Sequence, residues 1–90
     1  SLHTGKREAS LEGAPLTLTF SEFEILYLLG KKPGWVFTRK QIVNNIRGHG
    51  YAVTERAIDV QVVGLRKKLG VYGHYIETIR GVGYRFLERP

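Results

Sequence analysis

The chain has 90 residues, of which 42% are hydrophobic and 24% charged, and its formal net charge is +6 from 14 lysines and arginines against 8 acids. This composition predicts one folded domain with a modest core. The positive charge favours a polyanionic partner, either nucleic acid or an anionic membrane surface, and the alternative is that the charge only aids solubility. The absence of cysteine excludes disulfides, thiolate metal sites and cysteine nucleophiles, and no apolar run approaches the roughly 20 residues that span a bilayer.

The first 18 residues predict a small antiparallel sheet. Segments 7–11 and 15–18 flank Glu12-Gly13, a pair typical of a tight hairpin turn, and a short strand near 2–4 can precede them. No signal peptide opens the chain, and because its first residue is Ser1 rather than methionine, we expect a fragment or a processed chain.

Three helices are predicted at about 20–32, 39–47 and 55–69. Thr19 with Glu22 and Thr38 with Gln41 each form a capping box, and Thr54 suits the N-cap of the third helix. The first helix is expected to stop at the Pro33-Gly34 turn and the second at glycines 48 and 50, with 35–37 as a short strand between them.

The third helix has two contrasting faces. An apolar stripe at i, i+4, i+7 and i+11 predicts the core side and comprises Ile58, Val62, Leu65 and Leu69. The opposite face is basic, small and partly apolar, with no acid at its centre; it holds Arg56, Val60, Val63, Gly64 and Lys67, with Ala57, Gln61, Arg66 and Lys68 on its flanks. Such a face suits the major groove of DNA, which offers acceptor edges and thymine methyl groups.

The C-terminal segment, about 75–87, predicts a hairpin. Arg80 next to Gly81 and Gly83 puts a cation on a narrow tip, which could enter a minor groove. The second and third helices form a helix-turn-helix, and a hairpin beside such a pair is the wing of a winged helix. The predicted class is therefore α+β, with an N-terminal sheet, three helices and a wing.

Five segments in this order resemble the winged-helix DNA-binding output domain of OmpR/PhoB-type response regulators. They are Leu18–Leu26, Pro33-Gly34 followed by Val36–Arg39, Arg56–Val60, Leu65–Leu69 and Thr78–Phe86. The resemblance covers nearly the whole chain, treated as one domain over 1–90. It implies sequence-specific binding of double-stranded promoter DNA for transcription regulation in a bacterial two-component system. The phosphorylatable receiver domain of such proteins would lie outside this chain.

The resemblance also implies residue roles. Major-groove positions would be Arg56, Ala57, Val60, Gln61 and Gly64; phosphate contacts would be Arg66, Lys67, Thr78 and Tyr84; Arg80 would enter the minor groove. A loop that can touch RNA polymerase would comprise Arg47, Gly48, His49, Gly50, Tyr51, Ala52 and Val53. The family implies a cytoplasmic protein without cofactors that binds direct repeats as a tandem dimer. Since few apolar residues remain outside the core stripes, we expect the isolated domain to be a monomer.

Two departures from the family pattern stand out, one on the third helix and one at the end of the second. Many relatives have basic residues where this chain has Val63 and Gly64, and many have an aromatic or hydrophobic residue in place of Arg47. Gly64 costs roughly 1 kcal/mol of helix propensity relative to alanine. The offsetting gain could be a close approach to DNA or to a neighbouring element.

Several alternatives stay open at this point. Val60 and Val63 could contact thymine methyl groups or be covered by the domain's own sheet. Tyr84 could be plain core, or could also place its hydroxyl on a phosphate. Arg80 could be a solvated hairpin charge. Asp59 would repel phosphate, so we expect it to pair with Arg56 or another nearby arginine.

The leading function is DNA binding, and the alternative is a winged helix used for protein–protein contact through the Val60–Val63 face. Salt separates the two, because binding through several phosphates weakens steeply with salt. An enzyme is not indicated, since no clustered titratable groups suggest a catalytic site. The histidines, His3, His49 and His74, lack the spacing of metal ligands, so no metal is expected.

Overall fold

A computed structural model of the protein describes residues 2, 3, 5 and 8–88. The elements in chain order are β1 Leu2–His3, β2 Glu8–Leu11, β3 Ala14–Leu16, α1 Phe20–Gly30, β4 Phe37–Thr38, α2 Arg39–Arg47, α3 Glu55–Leu69, a 3-10 helix Gly70–Tyr75, β5 Ile76–Ile79 and β6 Gly83–Phe86. These elements form a winged helix, as the order of sequence patterns predicted.

The N-terminal sheet is antiparallel in the order β1-β2-β3. Glu12 and Gly13 join β2 to β3 with positive φ values of 51° and 82°, the conformation that two-residue hairpin turns favour. β3 ends at Leu16 rather than 18, where its pairing with Ala9 ends. Thr4 and Arg7, which the predicted strands included, lie outside the described residues.

Both predicted capping boxes are present. The hydroxyl of Thr19 accepts from the backbone of Glu22 and that of Thr38 from the backbone of Gln41, while each N3 side chain bonds back to its N-cap. α1 ends at Gly30 instead of residue 32, because Pro33 disfavours helical conformation at Lys32, the residue before it, and leaves Lys31 as the C-cap. Thr54 caps α3 through a hydrogen bond to the N–H of Ala57, as predicted.

The second sheet has the order β4-β6-β5. The strand predicted at 35–37 is instead Phe37–Thr38, because only these two residues pair with β6. Trp35 belongs to the preceding turn, where its N–H donates to the carbonyl of Lys32. Gly83 lies so close to β4 that an added Cβ would fall 2.0 Å from the carbonyl oxygen of Phe37, which excludes any side chain there.

The core lies between the three helices and the base of the wing. The predicted stripe of α3 is buried: Ile58, Val62 and Leu65 are 0% exposed and Leu69 is 5% exposed. The main partners of this stripe in the core are Ile25, Leu29, Ile42, Ile46 and Ile76. The stripe fixes the rotation of α3 about its axis, and so decides which residues face away from the domain.

Candidate nucleic-acid interface

A second stripe runs along the outer face of α3. Arg56, Val60, Val63 and Lys67 repeat the i, i+4, i+7, i+11 spacing of the core stripe two residues earlier in the chain, about 200° around the helix. Val60 is 67% and Val63 is 51% exposed, and the two cations are exposed as well. The sheet therefore does not cover the valines, and the outer stripe is apolar in the middle and basic at both ends.

Gly64 lies beside this outer stripe and faces α1. A Cβ at Gly64 would lie 2.7 Å from Oε2 of Glu22, so the glycine allows a neighbouring element to approach closely. Oε1 of Glu22 accepts from Nζ of Lys68 at 2.6 Å and from the N–H of Thr19 at 2.9 Å. Burial alone would raise the pKa of Glu22, but the hydrogen bonds from Lys68 and Thr19 outweigh it and hold the pKa below its ordinary value.

Gln61 lies on the same edge as Gly64. Its side-chain carbonyl accepts from the hydroxyl of Thr19 at 3.0 Å. This contact leaves the amide nitrogen of Gln61 to donate elsewhere. Ala57 is half-buried on this side. The predicted groove residues Gln61 and Gly64 therefore border the outer stripe rather than form its centre.

The opposite edge of α3 carries an internal network around Asp59. Nε of Arg39 lies 2.7 Å from Oδ1 of Asp59, and the hydroxyl of Tyr84 donates to the same oxygen. The hydrogen bond from Tyr84 and then that from Arg39 hold the pKa of Asp59 below its ordinary value, although burial opposes them. The expected pairing with an arginine is confirmed, but the partner is Arg39 of α2 rather than Arg56 of the same helix.

Tyr84 is part of the core. It is 4% exposed, and two guanidinium groups lie near its ring, with the Cζ atoms of Arg39 and Arg66 at 5.1 and 5.8 Å from the ring centroid. Burial and the bond to Asp59 raise the pKa of Tyr84. The phosphate contact predicted for Tyr84 stays a prediction; in this structure the ring is enclosed and the hydroxyl proton is donated to Asp59.

Arg66 joins α3 to the wing instead of extending into solvent. Its Nε and Nη2 lie 3.1 and 2.6 Å from the carbonyl oxygen of Ile76, and Nη2 also donates to the hydroxyl of Thr78 at 2.9 Å. Because the Thr78 oxygen accepts this bond, its proton is left to donate outward from an exposed position. Arg66 thus holds Thr78 in place. Lys67 and Lys68 are both exposed at this end of α3, and Lys68 is paired with Glu22.

The wing tip presents Arg80 to solvent. The N–H of Val82 donates to the carbonyl of Ile79 at 2.9 Å, and Gly81 takes the positive φ of 74° that this narrow turn needs. Within the described part of the chain, the side chains of Arg80, Arg56 and Lys67 make no hydrogen bond or ion pair with another residue. All three guanidinium or ammonium groups are thus available to an external anion.

The loop 47–53 is held against α1. Nε and Nη2 of Arg47 donate to the carbonyl of Val53 at 3.2 and 3.0 Å. Tyr51 stacks on Phe20 with ring centroids 3.9 Å apart, and Nε2 of His49 lies 3.1 Å from Oε1 of Glu24. Tyr51 is still 51% exposed, so the loop offers an ordered outer surface.

Three residues that position the interface were not identified from sequence: Arg39, Thr19 as a partner of Gln61, and Lys68 as a partner of Glu22. Arg39 carried no signal beyond its place after an N-cap. In the described residues there is no group of three or more side chains suited to hold a metal ion, and no helix among them is long and apolar enough to cross a membrane.

The chain is similar to known transcriptional regulatory proteins. Residues 13–86 match the family described as transcriptional regulatory protein, C terminal. The chain is 42% identical over 88 residues to the transcriptional regulatory protein QseB of Escherichia coli O157:H7. The aligned region covers 98% of this chain and 39% of QseB. The chain spans 31% to 39% of the length of the curated relatives it matches.

Two solved structures are similar over nearly the whole chain. One is the DNA-binding domain of the response regulator AdeR in complex with an intercistronic region, with a TM-score of 0.82 and 31% identity over 97% of this chain and 90% of that chain. The other is response regulator DrrB, a Thermotoga maritima OmpR/PhoB homologue, with a TM-score of 0.80 and 30% identity over 96% of this chain and 40% of that chain.

Proposed function

We propose that this chain, which belongs to the OmpR/PhoB-type family of transcriptional regulatory C-terminal domains, binds specific sequences of double-stranded promoter DNA as the output domain of a two-component response regulator. The family is one of transcription regulators, not of enzymes. The observation that carries the proposal is the outer stripe of α3, with cations at both ends and with the neighbouring acids Asp59 and Glu22 paired internally. The AdeR domain, which resembles this chain, was solved with DNA.

The acids matter because unpaired carboxylates beside a groove would repel phosphates. Asp59 is held by Arg39 and Tyr84, and Glu22 is held by Lys68. With these charges compensated inside the domain, Arg56 and Lys67 dominate the field at the outer face of α3. α3 would then lie in the major groove with Arg56, Val60 and Val63 toward the bases. Ala57, Gln61 and Gly64 would border the groove on the α1 side.

The remaining polar groups fit the backbone and the minor groove. Lys67 and the outward hydroxyl of Thr78 would donate to phosphates, with Arg66 fixing the position of Thr78. Arg80 on its narrow turn would enter the adjacent minor groove, where negative potential is concentrated. The wing is tied to α3 through the bonds of Arg66 to β5, so groove and wing contacts would form together.

The proposal extends to the other partners of a response regulator. A receiver domain would precede this domain in the full-length protein, and the DNA would be reached in the cytoplasm. The ordered loop 47–53, with Tyr51 exposed on its outer side, would be the surface toward RNA polymerase. The isolated domain would be monomeric and would occupy direct repeats in tandem, because the receiver supplies the dimer contact and raises the local concentration of a second domain.

Selection of bound duplexes from a random pool at two salt concentrations tests the function. We expect an enriched sequence with two direct repeats about one helical turn, ~10–11 base pairs, apart. Affinity for it should fall steeply with salt, as binding through several phosphates requires. No enrichment, or an affinity indifferent to salt, would contradict DNA binding and favour the protein-contact alternative. A stable dimer in sedimentation without DNA would contradict the monomer.

Arg80→Ala is expected to weaken binding to the selected duplex by roughly 1–3 kcal/mol, the range for loss of one groove contact. The fold should persist, because Arg80 is exposed and its side chain makes no polar contact within the described residues. Lys32→Ala is the matched control, since it removes one exposed cation from the turn after α1. Equal affinities of the two variants, measured by titration at moderate salt with unchanged melting curves, would refute the wing contact.

A further inference from the structure

The centre of the outer stripe is aliphatic, in a place where DNA-binding helices usually present hydrogen-bonding groups. Val60 and Val63 lie three residues apart on one side of α3, with 67% and 51% of their surfaces exposed. Arg56 and Lys67 stand at the two ends of the same stripe. Between these two cations, the outer stripe therefore presents only the methyl groups of the two valines to a partner of α3.

The neighbouring positions add little polar reach to this centre. Gly64 has no side chain, and Glu22 of α1 occupies the space where one would begin. Gln61 is bonded to Thr19 at the edge of the helix, and Asp59 is bonded to Arg39 and Tyr84 on the other side. Polar contacts to base edges near the middle of α3 are thus restricted, and direct hydrogen bonding to bases falls to Arg56 and, at the α1 edge, to the amide nitrogen of Gln61.

Valine side chains placed against DNA need an apolar partner, because covering a base acceptor or donor without a hydrogen bond is unfavourable. The apolar group that the major groove offers among unmodified bases is the C5 methyl of thymine. Successive residues of a helix rise about 1.5 Å, so Val60 and Val63 lie about 4.5 Å apart along the axis. Neighbouring base pairs are separated by about 3.4 Å. Two valines at this spacing match thymines in adjacent or next-adjacent base pairs.

We propose that Val60 and Val63 read a pair of thymine methyl groups, which makes them specificity-determining residues of the half-site. The proposal rests on the proposed DNA-binding function and defines its target more narrowly. Each half-site contains two thymines under the centre of α3, and a base pair read by Arg56 lies beyond the thymine nearest Val60. Glu22 on the α1 side of α3 and Asp59 on the other side are bonded within the domain. The side chains that face the bases at the centre of α3 are therefore the two valines.

Single thymine-to-uracil replacements in the selected duplex test this directly, because uracil differs from thymine only by the missing methyl group. At two adjacent or next-adjacent positions of each half-site, uracil should weaken binding roughly threefold to fivefold, the factor expected for losing one buried methyl. At the other thymines the affinity should stay unchanged. The measurement is the dissociation constant at fixed salt for each replaced duplex.

Two variants assign the methyl groups to the two valines. Val60→Ala should bind the thymine duplex more weakly and should lose sensitivity to uracil at one of the two positions, while Val63→Ala does so at the other. Val71→Ala is the matched control, because Val71 is 78% exposed in the 3-10 helix and lies outside the outer stripe. It should leave both sensitivities intact. All three valines are exposed, so melting curves should be unchanged.

The outcomes separate the two proposals. Tight binding to a selected duplex that is indifferent to uracil at every thymine would overturn methyl reading and leave the DNA-binding function standing. Uracil sensitivity that persists in both valine variants would overturn it as well, since another group would then contact the methyls. Failure to enrich any duplex would instead contradict the proposed function itself.

Discussion

Leu65→Ala is expected to destabilise the domain by roughly 2–5 kcal/mol, the usual cost of truncating a fully buried leucine. Leu65 is 0% exposed and sits in the core stripe of α3, within the cluster formed by the helices and the base of the wing. The substitution removes apolar contact and leaves a cavity that rigid neighbours fill only in part. Urea denaturation followed by circular dichroism gives the change in free energy of unfolding.

This loss should be a large part of the domain's total free energy of unfolding, because small domains are stable by only about 5–15 kcal/mol. Ile58→Ala, in the same stripe, should behave alike. Val63→Ala serves as the control, because it truncates an exposed side chain of the same helix. If Leu65→Ala unfolds at the same urea concentration as the parent, the core stripe is misplaced and the outer stripe must be rotated with it.

The parts of the fold that sequence predicted are those fixed by local rules. The capping boxes at Thr19 and Thr38 depend on residues three positions apart, and the stripe of α3 depends on spacing within one helix. The position of Val60 opposite that stripe followed from spacing alone, while its exposure depended on the sheet leaving this face uncovered. Where local rules compete, the boundaries moved, as at Pro33, which ended α1 earlier than its apolar pattern indicated.

The contacts that sequence could not predict join residues distant in the chain. Asp59 pairs with Arg39, twenty positions earlier, and Lys68 with Glu22, forty-six positions earlier. A helical i−3 partner was the local expectation for Asp59, but Tyr84 and Arg39 reach it from the wing and α2. The same packing assigned Tyr84 to the core and directed Gly64 toward α1. Such choices depend on how elements pack, which the spacing of residues does not record.

Val60→Glu is expected to abolish specific DNA binding while barely changing stability. Val60 is 67% exposed and lies about 200° around α3 from the buried Ile58, so a longer polar side chain meets no packing obstacle. A carboxylate there would approach phosphates and base acceptors without a compensating cation, and like-charge contacts at an interface cost several kcal/mol. It could also pair with Arg56 one turn earlier and withdraw that side chain from the bases.

Val60→Gln separates charge from shape in this experiment, because it has nearly the same size as the glutamate variant without the charge. We expect Val60→Gln to lose sequence preference but to keep the weak, salt-dependent binding that any duplex supports. Val60→Glu should lose both. Binding is measured by titration of the selected duplex and an unrelated one, and folding by thermal melting. A large fall in melting temperature would mean that Val60 packs in the core, and unimpaired binding to the selected duplex would mean that another face of α3 contacts DNA.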